Sequence, residues 1–240
     1  MPDALVFDVD GTICFDGRTI DPSIVTAIAR HASERPVIFA SARPIRDLLP
    51  VLPPDFHNYP LIGGNGAFIR HNGTQTVAGL SDENRRSLDS IIDTFALDAL
   101  VDGDWDYSFS GDPDHRIYRQ LDPMRAARNI DRGQIPTYAK VILFTRDSAV
   151  HEAVRSIGLP FSVHEDEGTI DIAPSGISKY RALGTLGFDR KPYVAFGNDA
   201  NDVTMLEHAR VSYRVGEHPA LAFAMHTLGR REVRQAIAAL

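Results

Sequence analysis

Residues 4–8, 36–41 and 193–197 read ALVFD, PVIFAS and YVAFG. These are short, β-prone apolar runs without polar alternation. A strand that faces water on one side alternates, whereas a strand buried on both faces does not, so the runs predict the inner strands of a parallel sheet covered by helices on both sides. Helical patterns separate them, at residues 22–32, 44–50, 178–187, 201–209 and 219–239, the last broken near Gly229. Strands alternating with helices indicate a doubly wound α/β domain with a Rossmann-like parallel sheet.

The middle of the chain reads differently. A hairpin-like stretch carries turn signals at Asn65-Gly66 and Asn72-Gly73. Ser81 then offers an N-cap for a helix whose Leu88, Ile91, Ile92 and Phe95 share one face. Strands are expected near 98–101, 106–110, 139–145, 161–165 and 169–173. A second amphipathic helix runs from about Asp147, carrying Val150, Ala153, Val154 and Ile157, and stops at Gly158. Together they predict a smaller α+β module over residues 81–172, inserted into a core made of residues 1–80 and 173–240.

In open α/β sheets, ligands sit beyond the carboxyl ends of the strands. Three of the runs lead directly into polar strings there, FDVDGT, ASAR and GNDAND. Neighbouring strand tips lie about 4.8 Å apart, and magnesium bonds oxygen at about 2.1 Å. A divalent ion would therefore join Asp8 to a ligand from residues 198–202, and would let clustered carboxylates accept a phosphate dianion. Asp8 is available as a nucleophile and Asp10 as the acid that protonates a leaving oxygen and then deprotonates water. Gly11 lets the chain turn sharply beside a ligand. The Ser41 hydroxyl and the Lys179 ammonium would hold phosphate oxygens. Only three of the 25 basic residues are lysines, so one opening a helix at residue 179 stands out.

DVDGT, the serine of SAR, the lysine of SGISK and GNDAND together resemble the haloacid dehalogenase superfamily. The nearest likeness is to the Cof-like branch of magnesium-dependent phosphatases, whose α/β cap is inserted between the second and third motifs. NGAFI at 65–69 resembles that branch too. The resemblance implies that Asp8 forms an aspartyl-phosphate and binds magnesium. It makes Asp10 the acid/base, with its carbonyl as a second metal ligand, and has Ser41 and Lys179 hold the phosphoryl group with Asn201 beside it. Asp202 would support the metal site. The sequence departs from the pattern at Asn198, where the branch has an aspartate, and at Ala42, where it has glycine. An amide oxygen binds magnesium without bringing charge, so weaker metal binding is expected unless Asp199 or Asp202 compensates.

Other readings of the same residues are plainer. Ser41 also suits a helix cap before RPIRDLL, Lys179 a solvated first-turn position, and GNDAND an ordinary turn. Cys14 reads as a small semi-buried side chain, and the nine histidines show no metal-ligand spacing. Trp105, Tyr107, His115, Arg116, Tyr118 and Arg119 suit leaving-group contacts and cap packing equally.

The expected function is a magnesium-dependent phosphomonoester hydrolase acting on a small phosphorylated metabolite, a sugar phosphate first among them. The alternatives are a sugar-phosphate phosphotransferase or mutase, and a non-catalytic phospho-ligand sensor with a weakened metal site. A net charge of −7 with no basic cluster argues against nucleic acid. No apolar run approaches membrane-spanning length, and the start MPDALVFDVD lacks a secretion signal. A cytoplasmic protein, monomeric or a small homo-oligomer, is therefore expected.

Overall fold

The run before Asp8 forms β1 (Ala4–Asp8), buried at every position, in a computed structural model that describes residues 3–240. Helix α1 (Pro22–Ala32) follows. Its N-cap Asp21 accepts from Ser23 N, Pro22 sits in the first turn, and it buries Ile24, Ala27 and Ile28. The chain then makes β2 (Val37–Ala40), α2 (Ile45–Leu48), β3 (Leu61–Gly63), β4 (Phe68–His71) and β5 (Thr74–Val77).

The chain divides into two compact units, and the crossings fall at Gln75/Thr76 and Ile177/Ser178. The sequence had suggested limits of 81 and 172. After the second crossing come α6 (Lys179–Thr185), β11 (Tyr193–Gly197), α7 (Val203–Glu207), β12 (Val211–Val215), β13 (His226–Leu228) and α8 (Val233–Ala238).

The eight-stranded sheet has the order β13-β12-β11-β1-β2-β3-β4-β5. Pairing is parallel from β13 through β3 and antiparallel between β3 and β4. From β1 the chain steps outward through β2 and β3, then returns to the other side of β1 through β11, β12 and β13. The direction reverses between β1 and β11, and such a reversal opens a crevice at the strand tips.

An aromatic row fixes the register there. Phe7 pairs with Phe196 and Phe39, and Phe196 with Tyr213; ring centroids stack at 5.1, 6.1 and 4.5 Å respectively. Each such pair contributes about 0.5–1.5 kcal/mol beyond the area it buries. A slip of one residue would turn the row inside out. The row therefore sets Asp8 level with Ala40 and with the residues that leave β11.

Two expectations for the C-terminal part need correction. Residues 211–215 form β12, which had not been anticipated. Residues 219–239 are not one broken helix but a 3-10 turn (Pro219–Leu221), the edge strand β13 and the short α8. Parallel pairing with β12, with His226 stacked on Tyr213 at 4.7 Å, outweighs the helical content of that segment.

Within the inserted unit lie α3 (Asp82–Thr94), β6 (Ala99–Asp102), β7 (Tyr107–Phe109), α4 (Arg116–Gln120), β8 (Lys140–Phe144), α5 (Ser148–Ser156), β9 (Phe161–His164) and β10 (Thr169–Ile172). The strands make an antiparallel sheet ordered β7-β6-β8-β10-β9. Ser81 and Asp147 cap α3 and α5 as their side chains suggest. Leu88, Ile91 and Ile92 of α3 pack with Val150 and Val154 of α5 against Val101, Val141, Leu143 and Ile170. Phe95, expected on that face, lies at the end of α3 and is exposed. No helix among the described residues is long and apolar enough to cross a membrane.

Candidate active site

The tips of β1, β2 and β11 carry the polar strings, and the first unit supplies every group described here. Asp8 ends β1 and is 4 % exposed. Its Oδ1 accepts from Lys179 Nζ at 2.6 Å, and its Oδ2 accepts from Thr12 Oγ1 at 2.6 Å. Lys179 Nζ also donates to Asp202 Oδ1 at 2.7 Å and to Asn201 Oδ1 at 3.4 Å. Lys179 and Asp202 are wholly buried. A lysine in the first turn of a helix meets the unfavourable end of the dipole. Here two carboxylates offset that cost.

Local structure explains how the lysine gets there. Ser178 caps α6, its hydroxyl accepting from Arg181 N. The turn at residues 64–66 presses against Ser178: Gly66 has φ +113, and a Cβ on it would stand 2.5 Å from the Ser178 carbonyl oxygen. The NGAFI string thus supplies a surface without a side chain, on which the start of α6 rests.

Residues 198–202 turn into a 3-10 helix (Ala200–Asp202) through a capping box between Asp199 and Asp202. Asp202 Oδ2 accepts from Asn198 N at 2.9 Å and Asp199 N at 3.2 Å. Both Asp202 oxygens are therefore engaged, one by the lysine and one by the loop. One end of the Asn198 side chain lies 2.9 Å from Asp8 Oδ2, 3.0 Å from the Asp10 carbonyl oxygen and 3.2 Å from Thr12 Oγ1. Thr12 gives its one proton to Asp8, so all three neighbours are acceptors. An amide oxygen in that place would face oxygens only. The NH2 end belongs there and donates.

Asp10 points elsewhere. Arg43 Nε donates to its Oδ2 at 2.8 Å and Arg43 Nη2 to its Oδ1 at 2.7 Å, while Nη2 also donates to the Gly17 carbonyl at 2.8 Å. Ser41 follows Ala40, the partner of Asp8, and its Oγ accepts from Arg43 N at 3.1 Å. That contact is the local cap weighed for Ser41, and it leaves the hydroxyl proton free to donate.

Electrostatics follow from this packing. Burial raises the Asp8 pKa to about 7, the charge of Asp202 adds to the rise, and Lys179 and Thr12 oppose it. Burial also penalises the Lys179 ammonium, but Asp8 and Asp202 outweigh that and raise its pKa. One ammonium serves two carboxylates; the lysine stays charged and Asp8 is the group whose ionised form is strained.

The sequence-derived set is thus brought together around Lys179 Nζ for Asp8, Asn201 and Asp202, and around the Asn198 amide for Asp8 and the Asp10 carbonyl. Two participants had been given no role, Thr12 and Arg43. Each lies inside a quoted string, DVDGT or SAR, and that proximity was the available signal.

A family model described as haloacid dehalogenase-like hydrolase matches residues 5–228. The chain belongs to that family. The haloacid dehalogenase resemblance read from DVDGT, SGISK and GNDAND is therefore borne out. A search of curated proteins finds no match. Among solved structures, a Thermotoga maritima protein superposes with a TM-score of 0.83 at 18% identity, over 100% of this chain and 98% of that one. A Bacteroides thetaiotaomicron phosphatase of the haloalkanoate superfamily gives 0.79 at 18% identity, covering 100% and 94%. A sugar phosphatase of haloacid dehalogenase subclass IIB gives 0.73 at 16% identity, covering 99% and 98%. At these identities the likeness is one of fold.

Among the described residues, no group of three or more His, Cys, Asp and Glu side chains is disposed to hold a metal. The oxygens that do converge are Asp8 Oδ2 and the Asp10 carbonyl, with the Asn198 amide between them. They are hard donors of the kind magnesium prefers, and a half-turn of the amide adds a third oxygen.

Proposed function

We propose that this member of the haloacid dehalogenase-like family is a phosphatase that hydrolyses a phosphomonoester through an aspartyl-phosphate on Asp8. The observation that carries the reading is the pairing of Asp8 with the buried Lys179 at 2.6 Å, at the point where the sheet reverses direction. A carboxylate so placed is held in one orientation beside a fixed positive charge, which is what attack on a charged phosphoryl group requires.

An oxygen of Asp8 attacks phosphorus and the bond from phosphorus to the leaving oxygen breaks. Asp10 gives that oxygen its proton. In the second step Asp10 takes a proton from water, the water oxygen attacks phosphorus, and the Asp8 carboxylate is released. Lys179 and the Ser41 hydroxyl donate to the phosphoryl oxygens, with Asn201 alongside. Arg43 fixes the direction of Asp10, and one of its two contacts must loosen for the carboxyl group to reach the leaving oxygen.

Magnesium is the cofactor this reading assigns, held by Asp8, the Asp10 carbonyl and Asn198, with Asp202 fixing the loop behind them. When bound it neutralises charge on the transferring group. The substrate class is a small phosphorylated metabolite, and the fold likeness to a subclass IIB sugar phosphatase favours a sugar phosphate. Leaving-group selection falls to the inserted unit, whose exposed or half-buried Trp105, Arg116, Tyr118 and Arg119 suit it.

A screen of phosphorylated metabolites for phosphate release, with and without magnesium, tests the reading. Release that requires Asp8 is expected; no release from any of them would overturn it.

A further inference from the structure

The phosphatase reading implies a divalent cation against Asp8, and the chain places a neutral side chain at the position that faces it. We propose that the Asn198 amide, by donating to Asp8 and to the Asp10 carbonyl, keeps this site assembled without a divalent cation, so that cation binding becomes a competition with that amide. The inference rests on the assignment of Asp8 and Asp10 to the site.

Three oxygens converge on one end of the amide, at 2.9, 3.0 and 3.2 Å. An NH2 group has two protons and points both toward acceptors that otherwise lack a donor from that direction. The carboxylate oxygen and the main-chain carbonyl are the nearer two. These are the same two oxygens that the cofactor assignment gives to magnesium. The amide's NH2 thus performs, as a hydrogen-bond donor, the service a cation performs as a Lewis acid.

The amide is also held firmly. Its main-chain N–H donates to Asp202 Oδ2 at 2.9 Å, and Asp202 is itself fixed by Lys179 at 2.7 Å. Beneath it lies Gly11, with φ +78, where a Cβ would overlap the Asn198 side chain. Chain turn, glycine and lysine network therefore converge on the position of one neutral group.

Charge bookkeeping points the same way. Asp8 and Asp202 share the single ammonium of Lys179. A carboxylate at residue 198 would set a second negative charge directly against Asp8 Oδ2, tolerable only with a cation between them. With asparagine there, the cluster carries one uncompensated charge in place of two. The site is then preformed in the absence of metal. Magnesium gains its third oxygen only when the amide turns and gives up its two donations.

The test uses the full chain and magnesium alone as the probe. Titration calorimetry and thermal unfolding in EDTA and in magnesium compare the natural protein with Asn198→Asp and Asn198→Ala. The natural protein is expected to unfold at nearly the same Tm in both solutions. Asn198→Asp should bind magnesium at least tenfold more tightly, with a Tm that falls in EDTA and is restored by the metal. Asn198→Ala, which adds no charge, should be less stable than the natural protein in EDTA because Asp8 and the Asp10 carbonyl lose their donor. Equal magnesium affinity of the natural protein and Asn198→Asp would overturn the inference, as would an Asn198→Ala protein as stable in EDTA as the natural one. Neither readout needs turnover. Phosphate release measured on the same preparations judges the phosphatase reading separately.

Discussion

Arg43 grips both oxygens of Asp10, Nε to Oδ2 at 2.8 Å and Nη2 to Oδ1 at 2.7 Å, and reaches on to the carbonyl of Gly17. A planar fork meeting a planar carboxylate fixes direction as well as distance, and lysine cannot reproduce it. Arg43→Lys should therefore lower kcat about 100-fold with little change in KM, since a small misplacement of a proton donor costs on that order. The loss should be greater for an alkyl phosphate, whose leaving oxygen needs the proton, than for p-nitrophenyl phosphate. An equal loss on both substrates would remove Arg43 from the positioning of Asp10.

Lys179 is the one ammonium between two buried carboxylates. Removing one partner of a buried ion pair leaves uncompensated charge and costs about 3–5 kcal/mol. Lys179→Met should lose stability on that scale in urea denaturation and lose phosphate release as well. A loss of stability within experimental error would mean that the cluster does not hold the first unit together.

Because burial raises the Asp8 pKa from 3.8 to about 7, with Asp202 adding to the effect, the folded protein keeps a proton there that the unfolded chain releases near pH 4. The stability this residue contributes is full below that point and is lost as pH rises through about 7. Asp8→Asn cannot ionise and escapes that loss. Measured in EDTA, the Tm of the variant minus that of the natural protein should grow between pH 5 and pH 8, by about 1–2 kcal/mol or roughly 3–6 °C. A difference that stays constant with pH would contradict the raised pKa.

Gly66 tests the floor under Lys179. Gly66→Ala must strain a φ of +113 and push against the Ser178 backbone. Gly73, with φ +76 and open space where its Cβ would stand, is the control for strain alone. Gly73→Ala should cost about 1 kcal/mol and leave activity alone. Gly66→Ala should cost more, about 2–3 kcal/mol, and reduce phosphate release by displacing the lysine. Equal effects of the two would show that the close approach to Ser178 does not matter.

What could be read from the sequence, and what could not, follows from where each residue is buried. The strands β1, β2 and β11 are enclosed on both faces, and a strand so enclosed must be apolar throughout, which makes it legible. Strand β12 alternates weakly, β13 is a three-residue edge strand that is mostly exposed, and α4 buries nothing. None of these leaves a pattern.

At the site, Asp8, Lys179, Asn198 and Asp202 stood out because their strings end strands or open helices. The partnership of Arg43 with Asp10 spans 33 residues and depends on how β1 and β2 lie side by side. Thr12, 4 residues from Asp8, was within local reach. Its role appears only once the turn at Gly11 brings the hydroxyl back over the carboxylate.

The central claim is that Asp8 becomes phosphorylated. Acid-quenching the enzyme within its first turnover of p-nitrophenyl phosphate, followed by peptide mass spectrometry, tests it most directly. The mass of one phosphoryl group is expected on the peptide that contains Asp8, and none in the Asp8→Asn protein. A phosphoryl group on another residue, or continued phosphate release by Asp8→Asn, would contradict the account.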